Sequence, residues 1–129
     1  MTLVVLDASA VLALLLDEPG GRRVRAVLPE SALSAVNLAE VVGHFVRNGA
    51  TEQEIRQIVE PLPIDVVAFD EGLAFSAGLL LPVTRAAGLS LGDRACLALA
   101  LRFGAPAVTA DRAWQSVAAT VRVVIELIR

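Results

Sequence analysis

Short apolar runs alternate along the chain with longer stretches in which apolar residues recur every three or four positions. Leu3 to Leu6 is a continuous apolar run of the kind buried on both faces of a parallel sheet. Ala8 to Leu16 reads as a buried helix, stopped by Asp17-Glu18-Pro19-Gly20-Gly21. A second helix is expected from Arg22 to Leu28, before Pro29, and a second strand from Ala32 to Ala35. Asn37 is expected to cap an amphipathic helix whose stripe is Leu38, Val41, Val42, Phe45 and Val46, with Glu40, His44 and Arg47 on the opposite face. Gly49 ends that helix, and Thr51 with Glu54 forms a capping-box pattern for the next, which runs to Pro61. Ile64 to Phe69 reads as a third strand. Asp70 is placed to cap a helix from Glu71 to about Ala87, which Pro82 kinks or breaks. Ser90 opens a helix through Phe103, and Gly104 closes it. Ala107 to Thr109 is a fourth strand, Arg112 to Val117 a short helix, and Val121 to Leu127 a last strand. Strands alternating with helices predict an α/β fold, a parallel sheet covered on both faces.

This alternation puts several acids in register. Ligands of a parallel α/β sheet gather outside the carboxyl ends of its strands, where helix N-termini also meet. Asp7 follows the first strand, Glu40 lies early in the helix after the second, Asp93 early in the helix feeding the fourth strand, and Asp111 just after that strand. The same rule also selects Asp70 and Glu71, so spacing alone does not separate them from the other four. Helix-start chemistry offers another reading: Asn37-x-x-Glu40 and Ser90-x-x-Asp93 match a loose capping box, and Asp111 suits an N-cap. Asp7 resists that explanation. A carboxylate between a buried strand and a buried helix costs several kcal/mol unless a cation meets it, and the first basic residue in the chain is Arg22. A metal ion is the economical partner. Oxygen ligands without histidine or cysteine clusters suit Mg²⁺, with Mn²⁺ as substitute.

Composition narrows the picture. The 129 residues read as one domain, 1–129, since single cores typically span ~100–150 residues. The apolar share of 56% exceeds the roughly 45–50% usual even with glycine counted, a surplus that points to a dimer or a tightly held partner. One cysteine, Cys96, and one histidine, His44, exclude an internal disulfide, a thiolate-rich site and imidazole-built zinc chemistry. No tyrosine and few aromatics leave little for base-stacking platforms; Trp114 reads as core. A net charge of −3 argues against strong non-specific nucleic-acid binding. All the basic residues are arginines, and the one cluster, Arg22, Arg23 and Arg25, reads as a solvated helix face that could also hold phosphate. His44, one turn after Glu40, is a candidate partner for a site carboxylate or a phosphate. The apolar opening contains Asp7, lacks a basic start and is too short to span a bilayer, so a cytoplasmic protein is expected.

At these residues the sequence resembles a PIN domain, and closely the VapC toxins of bacterial type II toxin–antitoxin pairs. Val4-Val5-Leu6-Asp7-Ala8-Ser9-Ala10 is similar to that family's first strand, first acid and following hydroxyl. Ala35-Val36-Asn37-Leu38-Ala39-Glu40 resembles the segment of the second acid. The run LSLGDRACLALALRFGAPAVTADRAW, Leu89 to Trp114, carries the third acid as Asp93, the fourth as Asp111, and Thr109 before it. The resemblance spans essentially the whole chain. It implies a three-layer sandwich on a five-stranded parallel sheet with the first strand central, which would send Asp70 to the margin. It implies a Mg²⁺-dependent ribonuclease in which Asp7 and Asp93 hold the metal, Glu40 and Asp111 complete its shell, and Ser9 and Thr109 support. It also implies a homodimer, neutralisation by a small cognate antitoxin, and 5′-phosphate and 3′-hydroxyl products. Because the chain is acidic, RNA capture would rest on local arginines and the metal. Response-regulator receivers and haloacid-dehalogenase-type phosphatases also keep acids at strand ends, but both use a lysine, which this chain lacks. The other reading is a non-catalytic PIN-like module that binds RNA or protein.

Overall fold

The apolar runs too short for helices become strands. The computed structural model describes residues 2–129. In chain order it has β1 (Val4–Leu6), α1 (Ala8–Leu15), α2 (Gly21–Val27), a 3-10 turn at Leu28–Glu30, β2 (Ser31–Ser34), α3 (Ala35–Arg47), α4 (Glu52–Val59) and β3 (Asp65–Val67). There follow α5 (Glu71–Leu79), α6 (Leu81–Thr84), α7 (Leu91–Phe103), β4 (Ala107–Thr109), a 3-10 turn at Arg112–Ser116, α8 (Ala118–Val121) and β5 (Ile125–Leu127). All strand pairings are parallel, in the order β3-β2-β1-β4-β5, so β1 is central. The α/β class and the central first strand are as expected from the sequence.

Alternation along each strand divides the core in two. Val5, Ala32 and Ala107 face one side of the sheet, where they join Leu73 of α5, Leu97 of α7 and Trp114. Val4, Leu6, Leu33 and Val108 face the other, with Val11 of α1, Val24 of α2 and Val41 of α3. Every residue of β1, β2 and β4 is buried, and β1 accordingly is wholly apolar while β2 and β4 carry only small hydroxyl residues besides their apolar ones; edge strand β3 exposes Asp65 and Val66. Trp114 is fully buried and belongs to the core, as does Cys96.

Several boundaries differ from the sequence reading. Ser34, the last residue of β2, caps α3 by accepting from the Val36 amide at 3.2 Å, so Asn37 is not the cap. It lies inside the first turn, completely buried. Ala35 is therefore helical and not strand. The stretch from Glu71 breaks at Leu80, with Pro82 in the first turn of α6, because proline supplies no amide donor and suits a helix start. Arg112–Ser116 is a 3-10 turn, and Val121 ends α8, so β5 is shorter than its apolar run. Thr51–Glu54 and Ser90–Asp93 both form complete capping boxes. Gly104 closes α7 at φ 60°, the left-handed geometry glycine adopts most freely.

Candidate functional site

Chain direction across the sheet reverses between β1 and β4: β1 leads outward through β2 to β3, and β4 and β5 lie on its other flank. A crevice opens at such a switch point, beyond the carboxyl ends of the strands. Asp7 leaves β1 there, and Asp111 follows Thr109 at the end of β4. The second turn of α3 and the first turn of α7 bring Glu40 and Asp93 to the same edge, so Glu40 lies one turn deeper into its helix than a cap at Asn37 predicts.

Asp7 occupies the N-cap position of α1 but its carboxylate makes no cap bond. Its Oδ2 instead accepts from Ser9 Oγ at 2.7 Å and from Thr109 Oγ1 at 2.9 Å. Each hydroxyl is itself anchored to the chain after β4: Ser9 Oγ accepts from the Ala110 amide at 2.9 Å and Thr109 Oγ1 from the Asp111 amide at 3.0 Å. The two hydroxyls thus tie β1, α1 and the end of β4 around one carboxylate. Asp7 is only 4% exposed and makes no ion pair among the described residues. Burial raises its carboxyl to about 6, with the charges of Asp93 and Glu40 adding to the rise, and the bonds from Ser9 and Thr109 opposing it. The buried acid without a cationic partner, inferred from sequence, is what the fold contains.

The other acids share a pattern. Asp93 Oδ2 accepts from the Ser90 amide at 2.9 Å, Glu40 Oε1 from Asn37 Nδ2 at 2.8 Å, and Asp111 Oδ1 from the Ala113 amide at 3.0 Å. In all four acids one oxygen is fixed by the protein, while Asp7 Oδ1, Asp93 Oδ1, Glu40 Oε2 and Asp111 Oδ2 have no protein donor among the described residues. At Asp93 and Asp111 one oxygen makes the cap contact and the other is left without a protein donor among the described residues. Partial burial raises the Asp93 carboxyl, and Asp111 adds to it against the Ser90 bonds and the Arg94 charge. Cys96, one turn after Asp93, is fully buried. Burial, and then the charges of Asp7, Asp93 and Glu40, hold its thiol protonated well above the usual range.

The donor set tests whether a divalent ion suits this place. Among the described residues no three carboxylate, imidazole or thiol side chains stand close enough together to enclose an ion. Mg²⁺ does not need such a cage, since it keeps several waters and is usually held by one or two carboxylates. Uncommitted hard oxygens around a buried acid that burial makes costly to ionise are the chemistry such an ion fits.

The remaining candidates lie elsewhere or act structurally. Asp70, beside edge strand β3, caps α5 through the Leu73 amide and grips Arg102 through two 2.9 Å bonds, and that guanidinium holds its carboxyl down at about 2. Glu71 is exposed in the first turn of α5. His44 packs edge-on against Phe45. Arg22 and Arg25 are exposed, and Arg23 donates to the Leu127 carbonyl at 3.0 Å, so the cluster presents a solvated face of α2.

Of two further residues at the site, Asn37 was read from sequence only as a helix cap and Gly92 was not singled out. Asn37 Nδ2 bonds both Glu40 Oε1 and, at 3.0 Å, the Gly92 carbonyl. Gly92 is buried in the first turn of α7 directly against the Glu40 carboxylate. A glycine within a helix weakens it by roughly 0.5–1 kcal/mol relative to alanine, and that unexplained cost was the available signal.

A family model described as PIN domain matches residues 4–120. No curated protein matches the chain. Among solved structures, a DNA-bound VapBC from Salmonella typhimurium superposes with a TM-score of 0.77 at 17% identity, covering 100% of each chain. A VapBC complex from Rickettsia felis bound to a promoter DNA fragment gives 0.72 at 16% identity, and a toxin–antitoxin complex from Klebsiella pneumoniae 0.72 at 17%, each over 98% of both chains. At these identities the likeness is one of fold.

Proposed function

Because the chain belongs to the PIN domain family, whose members are typically nucleases, we propose that it is a Mg²⁺-dependent endoribonuclease and the toxin of a toxin–antitoxin pair. The observation that carries this reading is the set of four acids at one sheet edge, each keeping an oxygen free of the protein. In this reading Asp7 Oδ1 and Asp93 Oδ1 would hold the ion, and Glu40 Oε2 and Asp111 Oδ2 would complete its shell by accepting from water. Ser9 and Thr109 both occupy Asp7 Oδ2 and so leave Oδ1 as the oxygen available to the ion. When bound, Mg²⁺ supplies Lewis acidity toward water and phosphate. Hydrolysis forms a bond from water oxygen to phosphorus and breaks the P–O3′ bond, leaving 5′-phosphate and 3′-hydroxyl ends.

Partners follow the same reasoning. The similar structures from Salmonella, Rickettsia and Klebsiella are toxin–antitoxin complexes or VapBC assemblies, which supports a small cognate antitoxin for this chain. A homodimer is supported by apolar side chains left on α5, where Phe75 is 66% and Leu79 76% exposed. No helix among the described residues is long and apolar enough to cross a membrane, in keeping with a cytoplasmic site of action.

The decisive experiment incubates purified chain, Asp7→Asn and Asp93→Asn with RNA in Mg²⁺ or in excess EDTA. Cleavage by the parent chain in Mg²⁺ alone, reduced at least about a hundredfold in each variant, is expected, since the hydrolytic power resides in the ion these residues would hold. Undiminished cleavage by either variant, or full cleavage in EDTA, defeats the assignment. A chain that binds RNA without cutting it would instead be the non-catalytic module.

A further inference from the structure

The second acid is held in an unusual way. Glu40 is exposed, on a helix surface where a long side chain ordinarily samples many rotamers. Here its carboxylate lies flat on the backbone of Gly92: a Cβ added there would fall on the carboxylate, 2.5 Å from both Cδ and Oε1. Asn37, completely buried, donates through the same Nδ2 to Glu40 Oε1 at 2.8 Å and to the Gly92 carbonyl at 3.0 Å. Exchanging the amide's oxygen and nitrogen would set Oδ1 against two acceptors, so the orientation is fixed by the network. Asn37 Oδ1 has no partner. Leaving one end of a buried amide unsatisfied is costly, which argues that the Nδ2 end is being retained for what it fixes.

We propose that Gly92 and Asn37 are positioning residues that form a brace across the crevice. The bare Cα of Gly92 makes the seat for the Glu40 carboxylate, whose Oε2 lies closest to where a Cβ would stand, and Asn37 pins Oε1, which leaves Oε2 as the oxygen without a protein donor. The brace joins the start of α3, which carries Asn37 and then Glu40, to the first turn of α7, which carries Gly92 and Asp93, and so sets the spacing of the second and third acids. Neither residue touches substrate or ion; both act through Glu40. The idea rests on the metal reading above, and it explains why a helix tolerates glycine immediately before an acid it must hold in place.

Gly92→Ala separates this role from a general one. The obstructing atoms belong to the far end of a flexible, exposed side chain, so Glu40 swings into solvent and the fold survives. Alanine is also the better helix former. Thermal stability in EDTA should therefore be kept or raised while divalent-ion affinity falls, a combination a merely structural glycine does not give.

The experiment titrates Mn²⁺ into EDTA-stripped full-length chain and follows the free-ion EPR signal. Compared are the parent, Gly92→Ala, Asn37→Ala, Glu40→Ala and the double variant Glu40→Ala/Gly92→Ala. Outer-shell changes typically cost ~10–100-fold in metal affinity, so Gly92→Ala and Asn37→Ala should each weaken binding at least about tenfold. The double variant should bind no worse than Glu40→Ala alone. Parent-like affinity in Gly92→Ala, or losses that multiply in the double variant, overturns the brace. Should Asn37→Ala fail to fold, the glycine cycle decides the matter alone. Side-chain amide exchange of Asn37, read by NMR in metal-free chain, is the arm independent of the ion. Slow exchange in the parent, lost in Glu40→Ala, supports the brace, and fast exchange in the parent refutes it. A parent chain with a protected Asn37 amide and no Mn²⁺ binding would overturn the metal reading and leave the brace standing.

Discussion

Asp7→Asn should make the metal-free protein more stable, and the gain should depend on pH in a defined direction. The parent carboxyl titrates at about 6 in the fold against an ordinary value of 3.8. Between those values the folded state binds the proton that the unfolded chain has released, so stability falls as pH rises through the window. Below 3.8 the group is neutral in both states and costs nothing; above about 6 the full cost is present. With 1.36 kcal/mol for each tenfold difference in proton affinity, ionised Asp7 destabilises the fold by about 3 kcal/mol. An asparagine removes that cost and keeps the local bonds. Its Oδ1 accepts from Ser9 and Thr109 as Oδ2 does now, and its Nδ2 turns toward Asp93 and Glu40, which would then attract it.

The assay is urea unfolding in EDTA at several pH values, with unchanged slope as the sign that only stability has moved. Near pH 8 the variant should exceed the parent by about 3 kcal/mol, or roughly 10 °C in Tm for a chain of this size. Near pH 4 the two should nearly coincide. Adding Mg²⁺ should close the gap from the other side: at one hundred times its dissociation constant a ligand stabilises its binder by about 2.7 kcal/mol, and only the parent gains. A variant no more stable than the parent at pH 8 in EDTA, or a gap of constant size down to pH 4, would refute the view that Asp7 is an acid held at a cost for a cation.

Two shorter tests bear on the supports of that acid and on assembly. Thr109→Val keeps shape but removes one of the two donors to Asp7 and strips the Asp111 amide of its acceptor; it should cost about 1–3 kcal/mol and move the acid limb of the cleavage–pH profile upward, as unfolding and initial rates would report. Leu79→Glu, on the exposed face of α5, should turn the homodimer proposed above into a monomer in sedimentation without altering metal-free stability by more than about 0.5 kcal/mol; a parent chain that sediments as a monomer refutes the pairing, and a variant still dimeric moves the interface elsewhere.

The sequence made the sheet and three of the four acids easy to place because each is bound to a backbone event. An apolar run long enough for a strand and too short for a helix has one resting place in an α/β fold, and Asp7 and Asp111 follow such runs directly. Asp93 follows a capping serine that fixes where α7 begins. Glu40 was harder: its helix starts three residues earlier than Asn37 suggests, because Ser34 serves as both last strand residue and cap. Polar residues near a helix start all resemble caps to a local reading. Only the approach of α7 distinguishes a cap from Asn37, whose partner Gly92 is distant in sequence. The same holds for the hydroxyls, where Ser9 and Thr109 meet on Asp7 across a hundred residues of chain.

That division has a physical reason. Positions set by strand ends and helix caps are consequences of nearby residues, and periodicity finds them. The bonds from Ser9, Thr109 and Asn37 that choose which carboxylate oxygen stays free depend on the packing of β4 and α7 against β1 and α3, and no local pattern encodes that packing. Such bonds also carry the cost argued for Asp7: a hydroxyl pair lowers the penalty of the buried charge without cancelling it, so the acid remains near 6. A third donor in the same place would bring its carboxyl down and leave a cation less to gain. The arrangement leaves Oδ1 without a protein donor among the described residues, and that is the atom the proposed ion would take up.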